Sequence, residues 1–439
     1  MWPADVTRAW AAPAAGGAGA VTSSSVAVPG RGAGGRPLRV LQVASNLAPR
    51  AGGPPRAVLG LARGLVALGH HVTVYTTDLD GAQPLLRLRP HVVDQPTGRP
   101  TCVDGVEVWH FKTAFPSRWA VSPALGRALR AAVGGFDVVH IHSLYLFSTL
   151  AAVRAAHAAS VPYIQCPHGA LDPYLRLRRG RLRKGVYERL IERWNLDHAA
   201  AIHYVAEEEM RLVAPLGFRA PAVVVPVGVE TEEFDARPPR GTFRSRYGLG
   251  DRTLVLFLGR LAVKKGLDLL AEAFIDVAGR FPDAHLVMVG PDEQGQAGRM
   301  RARLRDAGVD ERVTFTGILT GTDRLAALGD ADLWVLPSYT EACSVALLEA
   351  MACRLPVVIS DRVNTWREVA AAGAGLAVPC EARPVAEAIG RLLSDPALRG
   401  EMGDRGRALV ECCFTWRQAA ERMAEVYRDV SERRPRVSR

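Results

Sequence analysis

Glu341 and Glu349 stand eight residues apart in SYTEACSVALLEAMACRLPVV, residues 338–358. A helix turns about 100° per residue, so eight steps leave two side chains roughly 80° apart. They do not share a helix face, and can meet one ligand only if Glu341 lies before the helix and Glu349 on it. DLWVLPSYTEACS reads as a strand running into a loop, with VALLEAMAC as the helix. Ser344 is placed to cap it, since its hydroxyl can accept from an N–H two or three residues on. The N–H groups near Val345 and Ala346 then face the carboxyl end of the strand, where an anion such as phosphate is favoured. The carboxylates repel phosphate, so their sensible partners are hydroxyls of a ribose or another sugar. The competing reading makes both glutamates solvated helix-end charges.

LFLGRLAVKKGLDLLAEAF, residues 256–274, supplies the opposite charge. A buried strand ends at Gly259, and Arg260 and Lys265 follow in a loop that enters a helix. Two cations beyond a parallel strand can neutralise a diphosphate leaving group. Lys264 competes for the role and is expected to face solvent; the bland alternative is a solvated loop.

Other candidates are weaker. His140 and His142 in DVVHIHS fall on one face of a strand. They could pair as metal ligands, but no Cys, Asp or Glu partner stands nearby in sequence, so packing or hydrogen bonding near a site is favoured, with acceptor contact open. DLD at 78–80 and DAD at 330–332 match the string with which some enzymes hold a divalent ion, but their positions suit turn and cap acids. No catalytic metal and no other cofactor is expected. Arg176, Arg178, Arg179, Arg181, Arg183 and Lys184 crowd one short stretch, with Tyr174, Tyr187 and Trp194 about it. That stretch is either a membrane-facing, anionic-surface patch or a solvated loop. Nucleic acid is not expected, because no nucleic-acid motif accompanies the charge.

The elements that must position these residues alternate. LRVLQVA, HHVTVYTTD, DVVHIH, VPYIQCPHG, AIHYVA and PAVVVPVGVE read as strands, with helices such as RAVLGLARGLVALG and KGVYERLIERWNLDHA between them. SNLAPRAGGPP reads as a loop. TEEFDARPPRGTFRSRYGLGDR, polar and rich in Pro and Gly, is the best linker. A second series follows: TLVLFLG, HLVMVG, VTFTG, DLWVLP and PVVIS, with long helices closing the chain. Strands alternating with helices imply parallel sheets covered on both faces. The 439 residues exceed one ordinary core. The expected α/β architecture is two doubly wound Rossmann-like domains facing across a cleft. Residues 1–36 read as a disordered Ala/Gly-rich tail, 37–235 as the first domain, 236–415 as the second, and 416–431 as a helix returning to the first. The net charge of +10 suits an anionic ligand or surface. No stretch approaches the length and apolarity of a membrane span. Seven cysteines without a CxxC pair point to a reducing cytosol rather than a disulfide or zinc framework. A place in the cytoplasm, peripheral at the inner membrane face, is the resulting expectation.

Taken together, these motifs resemble the retaining family-4 glycosyltransferases of the GT-B fold, over roughly residues 37–430. The family's Glu–seven residues–Glu motif corresponds to Glu341 and Glu349. Its Gly-Arg and Lys-Gly motifs correspond to Gly259, Arg260, Lys265 and Gly266. Its glycine loop corresponds to Gly52 and Gly53, and its Pro-His-Gly turn to Pro167, His168 and Gly169. RVTFTGIL resembles the strand whose following backbone, near Ile318, holds the nucleotide base. The resemblance implies a nucleotide-sugar donor on the second domain. Arg260 and Lys265 would bind its phosphates with amides near Ser344 and Val345, Glu349 the ribose and Glu341 the transferred sugar. Gly53 would admit the diphosphate close to the backbone. The acceptor would lie against the first domain, and His168 would hydrogen-bond the donor sugar or stabilise the transition state. Transfer with retention, by front-face attack, needs no enzymic base. The sequence departs from the family at Ala342, Cys343, Ser344, Arg354 and Val227, so donor identity does not carry over. The expected activity is hexosyl transfer from a UDP- or GDP-sugar to a saccharide or lipid-linked acceptor in polysaccharide or glycolipid assembly. Alternatives are transfer to a small polyol or natural product, a nucleotide-sugar epimerase or hydrolase, and a binding protein without turnover.

Overall fold

The computed structural model describes residues 36–48, 52–80, 83–84, 100–114, 119–176, 185, 187–293 and 295–433. The tail read over residues 1–36 lies outside them apart from Arg36, which pairs with Asp137 at 2.6 Å. Two compact units are present, residues 1–227 with 416–439, and residues 228–415.

In chain order the first unit contains β1 (Arg39–Val43), β2 (His71–Thr77), β3 (Leu79–Asp80), β4 (Gln83–Pro84), β5 (Pro100–Val103), β6 (Val106–Phe111), β7 (Val138–His142), β8 (Tyr163–Cys166), β9 (Ala201–Tyr204) and β10 (Ala222–Val224). Eight of these form one sheet in the order β10-β9-β8-β7-β1-β2-β6-β5, and β3 and β4 form a separate hairpin. All neighbours in the large sheet are parallel except β5 with β6. Strands covered on both faces read as continuous apolar runs, as VVHIH and YIQC do apart from their polar members. Leu41, Val43, Val139 and Ile141 pack with Leu125, Leu129 and Val153 of the flanking helices.

GGPP, expected as loop, opens a helix over Gly53–Ala67. Proline suits a first helical turn, where its missing N–H costs nothing and its φ is already helical. The C-terminal helix Trp416–Glu432 lies against this helix. A Cβ on Gly60 would overlap the Trp416 ring, and one on Gly64 would crowd Ala420. The expected long strand over PAVVVPVGVE is only Ala222–Val224. The helix expected over KGVYERLIERWNLDHA contains a π turn, Glu188–Glu192, before Arg193–Asp197.

The second unit contains β11 (Thr253–Leu258), β12 (Ala284–Val289), β13 (Val313–Gly317), β14 (Leu333–Leu336), β15 (Val357–Ser360) and β16 (Gly375–Val378). All are parallel, in the order β13-β12-β11-β14-β15-β16. The units divide at Val227/Gly228, not at 235/236. The polar stretch read as a linker is built into the second unit. Val229 N–H donates to Phe414 at 2.9 Å, and Asp235 pairs with Arg407 at 3.0 Å. Asp330 accepts from the N–H groups of Gly241, Phe243 and Arg244 at 2.6–2.9 Å, capping the Thr242–Tyr247 helix. Composition alone cannot show this, because a capping acid 86 residues away satisfies the polar turn.

Candidate active site

The six-stranded sheet reverses its winding between β11 and β14, and ligands of such sheets bind beyond the carboxyl ends at that point. Arg260 and Lys265 follow β11, and Glu341 follows β14. Lys265 ends the one-turn Val263–Lys265 helix. Gly266 comes next, at φ +66°, where a Cβ would overlap the Pro337 carbonyl oxygen. This close approach brings the loop after β11 against the end of β14 and turns Lys265 inward. Lys265 donates to Glu341, and both are buried. Lys264, only partly exposed, reaches the same carboxylate at 3.8 Å. Burial pushes the Glu341 carboxyl upward, but Lys265 and Lys264 outweigh it and hold it below the usual carboxylate range. Burial also lowers Lys265, against the attraction of Glu341. Arg260 turns to Glu293, at 2.6 Å.

Glu341 lies outside the helix, bridged to Val363, and its own N–H and C=O bond the 362–364 backbone. The helix is Val345–Ala352, and Ser344 Oγ accepts from Leu347 N–H at 3.3 Å. Glu349 follows one turn later, buried, and takes a hydrogen bond from Arg324. Arg324 also reaches Glu233. Burial works against the Arg324 cation, but Glu349 and Glu233 together hold its pKa above the ordinary value. Ile318 stands exposed just past the edge strand β13.

In the first unit the equivalent reversal falls between β1 and β7. Gly52, at φ +86°, precedes the Gly53–Ala67 helix. A Cβ on Gly53 would meet nothing within 4 Å, so internal packing does not require this glycine. His168 follows β8 in a left-handed conformation, φ +50°. Glu209 holds its turn, accepting from Gly169 N–H at 2.7 Å and Val205 N–H at 2.9 Å. His168 Nε2 meets His142 Nδ1 at 3.0 Å. His140 bonds Tyr427 of the C-terminal helix at 2.7 Å and His203 at 3.2 Å, and His203 bonds the Val225 carbonyl at 2.7 Å. Burial lowers the basicity of all four rings, His168 to about 3 and His203 to about 4. The expectation that His140 and His142 lack a Cys, Asp or Glu partner is corrected. Cys166 lies with them, the ligand atoms of all three within 4.8 Å of one another. The β7–β8 register sets Cys166 opposite His142, which 24 residues of sequence separation conceal.

Two models adjoin along this chain. Residues 52–228 match the glycosyl transferase 4-like domain, and residues 240–409 match glycosyl transferases group 1. The chain belongs to the group 1 glycosyltransferases. Among curated relatives it is 31% identical over 245 residues to the alpha-D-kanosaminyltransferase of Streptomyces kanamyceticus, covering 54% of this chain and 63% of that one. It is 32% identical over 225 residues to the GDP-mannose-dependent alpha-(1-6)-phosphatidylinositol monomannoside mannosyltransferase of Mycolicibacterium smegmatis, covering 49% and 58%. The chain thus spans about three fifths of the length of these relatives. The dimannoside mannosyltransferase of Mycobacterium tuberculosis is 26% identical over 88% of this chain and 95% of its own. Among solved structures, sucrose-phosphate synthase from Thermosynechococcus elongatus superposes with a TM-score of 0.72 at 22% identity, covering 90% and 99%. Anabaena HepE in complex with UDP and glucose superposes with a TM-score of 0.70 at 19% identity, covering 89% and 100%. The fold is therefore GT-B, with two parallel-sheet α/β units.

Several contacts in this group 1 glycosyltransferase were not foreseen. Arg324 was missed. Its signal was a lone arginine four residues before Leu328 on the apolar stripe of DRLAALGD, a buried position on the Gly321–Asp330 helix. Arg354, where glycine is frequent in the family it resembles, keeps a left-handed φ of +61° and pairs with Asp404. That conformation costs a non-glycine residue about 1–2 kcal/mol. Asp78 accepts from the N–H and hydroxyl of Thr113 at 2.8 and 2.7 Å. Arg176 pairs with Glu188 at 2.5 Å, whereas Arg178, Arg179, Arg181, Arg183 and Lys184 lie outside the described residues. No described helix is long and apolar enough to cross a membrane.

Proposed function

We propose that this chain is a retaining hexosyltransferase that moves a sugar from a UDP- or GDP-sugar to a saccharide or lipid-linked acceptor. The observation that carries the reading is the junction of β11 and β14. There Arg260, Lys265 and Glu341 stand beyond neighbouring strand ends, with the Ser344-capped helix and Glu349 adjoining in sequence. Cations at a sheet's switch point suit a diphosphate, whose growing charge they stabilise as the sugar departs. Glu341 keeps Lys265 charged and directed until the phosphates arrive, and it then receives the sugar hydroxyls. Glu349 accepts from the ribose while Arg324 balances its charge. The base rests on the backbone beside Ile318. The acceptor belongs to the first unit, with His168 at its hydroxyls or the donor sugar. The leaving phosphate takes the acceptor's proton, so neither an enzymic base nor a metal takes part.

The names of the mycobacterial relatives support GDP-mannose as donor and phosphatidylinositol mannosides as the acceptor class. The bound UDP of the HepE structure supports UDP equally. A lipid-linked acceptor brings the chain to an anionic membrane surface, for which the basic stretch from Arg176 to Lys184 supplies the charge.

The test is incubation with a panel of nucleotide sugars, with and without saccharide and lipid extracts. Nucleotide release that depends on an acceptor, with an α-configured product from an α-linked donor, supports retaining transfer. Release without acceptor indicates a hydrolase. Lys265→Ala and Glu349→Ala are expected to cut turnover at least about a hundredfold, and near-normal rates in both refute the site. Loss of activity to a chelator, restored by manganese, refutes metal independence.

A further inference from the structure

The hydrogen bonds in the first unit fix where the protons of two of its histidines lie. The Val225 carbonyl can only accept, so His203 carries its proton on Nε2. His203 Nδ1 is then bare and accepts from His140 Nε2–H. His140 Nδ1 is bare in turn and accepts from the Tyr427 hydroxyl. Each ring is neutral, with one donor and one acceptor used, and the series runs in one direction only.

The His142–His168 pair has two arrangements, which leave different groups stranded. His142 Nε2 is buried and has no hydrogen-bond partner. If His168 donated from Nε2, the His142 proton would sit on that Nε2 as an N–H with no acceptor among the surrounding protein groups. If His142 donates from Nδ1, only a lone pair is stranded. A buried N–H without an acceptor is the rarer defect in folded proteins. The surroundings favour the second arrangement as well. The His140 ring stacks on His142 with centroids 4.2 Å apart, and neither His140 nitrogen is free to receive another proton. Cys166, beside them, offers an S–H that can turn toward a lone pair, while its sulfur is a poor acceptor.

We propose that His142 is a positioning residue that holds His168 with its proton on Nδ1, so that His168 meets substrate as a hydrogen-bond donor and not as a proton acceptor. Its Nε2 is taken up by His142, which leaves Nδ1 as the edge of this half-buried ring for a ligand oxygen. Glu209 fixes the turn from the other side through Gly169 N–H. The ligand is an oxygen of a sugar hydroxyl or phosphate, and the inference rests on the transferase reading for that substrate class. No proton changes hands at His168, in keeping with a reaction whose leaving phosphate collects the acceptor's proton.

The first readout needs no activity. The full chain is labelled with ring-15N histidine and its long-range proton–nitrogen correlations are recorded at pH 7. The His168 signals are identified by their loss in His168→Asn. The proposal expects a protonated Nδ1 and a bare Nε2 at His168, and the same pattern at His142. A proton on Nε2, or on both nitrogens, overturns it. The second readout is rescue. His142→Leu is expected to lower kcat about tenfold, the worth of one hydrogen bond in the transition state, with the donor KM little changed. His142→Asn, whose amide N–H stands near the place of Nδ1–H, recovers most of it. His168→Asn retains more activity than His168→Gln for the same reason. Equal losses in His142→Asn and His142→Leu, or Gln outperforming Asn at 168, overturn the assignment. The expected tautomers in a chain without transferase activity would refute the transferase reading alone.

Discussion

Lowering the pH from 6 to 5 is expected to weaken the first unit far more than the second. Burial holds His140, His142, His168 and His203 neutral, with folded-state pKa values depressed to about 3 for His168 and about 4 for His203. In the unfolded chain the same rings take up protons as the pH falls through about 6.5. Below that pH the unfolded state binds more protons, so acid favours it. Buried carboxyls oppose the trend. Burial raises Glu209 to about 7 and also raises Glu192, so the folded chain takes up those protons before the unfolded one does. Burial also lowers His70 and His110 and raises Glu425, so six histidines stand against three carboxyls, a net uptake of at least about two protons on unfolding. Each is worth about 1.4 kcal/mol per pH unit, so the unit loses about 3 kcal/mol, roughly a hundredfold in its opening equilibrium. Against a typical stability of about 5–15 kcal/mol, that is a large share. In the second unit, among the described residues, only His285 is lowered in this way, to about 4, which amounts to about 1 kcal/mol. Hydrogen exchange read peptide by peptide, corrected for the intrinsic pH dependence, compares β7–β9 with β11 and β14 in one sample. Equal loss of protection in both sets, or none in β7–β9, would refute the neutral-histidine account.

Gly266→Ala should destabilise the chain by at least about 2 kcal/mol, since it adds a left-handed penalty to backbone overlap with Pro337; an unchanged urea midpoint contradicts that approach. Arg324→Ala removes the guanidinium that balances the buried Glu349 carboxylate and should cost about 3–5 kcal/mol. Adding Glu349→Gln should restore much of this loss in the same denaturation assay, and strict additivity would show that the pair is not coupled. Tyr427→Phe leaves His140 Nδ1 without its donor and should cost about 1–3 kcal/mol by thermal unfolding; a neutral result speaks against the proton order assigned to the series.

Much of the fold was legible because parallel strands announce themselves. LVLFL and VVHIH are short apolar runs between helical periodicities, and their order already implies two wound sheets. The β11 and β14 loops could be found because their chemistry lies within single short segments. What escaped depends on register and distance. Cys166 joins His140 and His142 only when β8 pairs with β7. Arg324 meets Glu349 only when two helices from different parts of the chain converge. GGPP read as a loop because prolines break helices in the middle yet fit their first turn. The polar segment after Gly228 read as a linker because its caps, Asp330 among them, come from far along the sequence. Composition describes a segment, and it says little about a partner supplied by another.

The return of the last helix also sets an order of manufacture. On the ribosome, residues 228–415 are all synthesised before Trp416 emerges, so the second unit can close while the first is unfinished. Until then the Gly53–Ala67 helix shows the shallow surface at Gly60 and Gly64 that the Trp416 ring will cover. His140 likewise waits for the Tyr427 hydroxyl. A chain stopped short of residue 416 would release a complete second unit attached to an unsealed first one. Quality control in the cell would meet that nascent face before any substrate did.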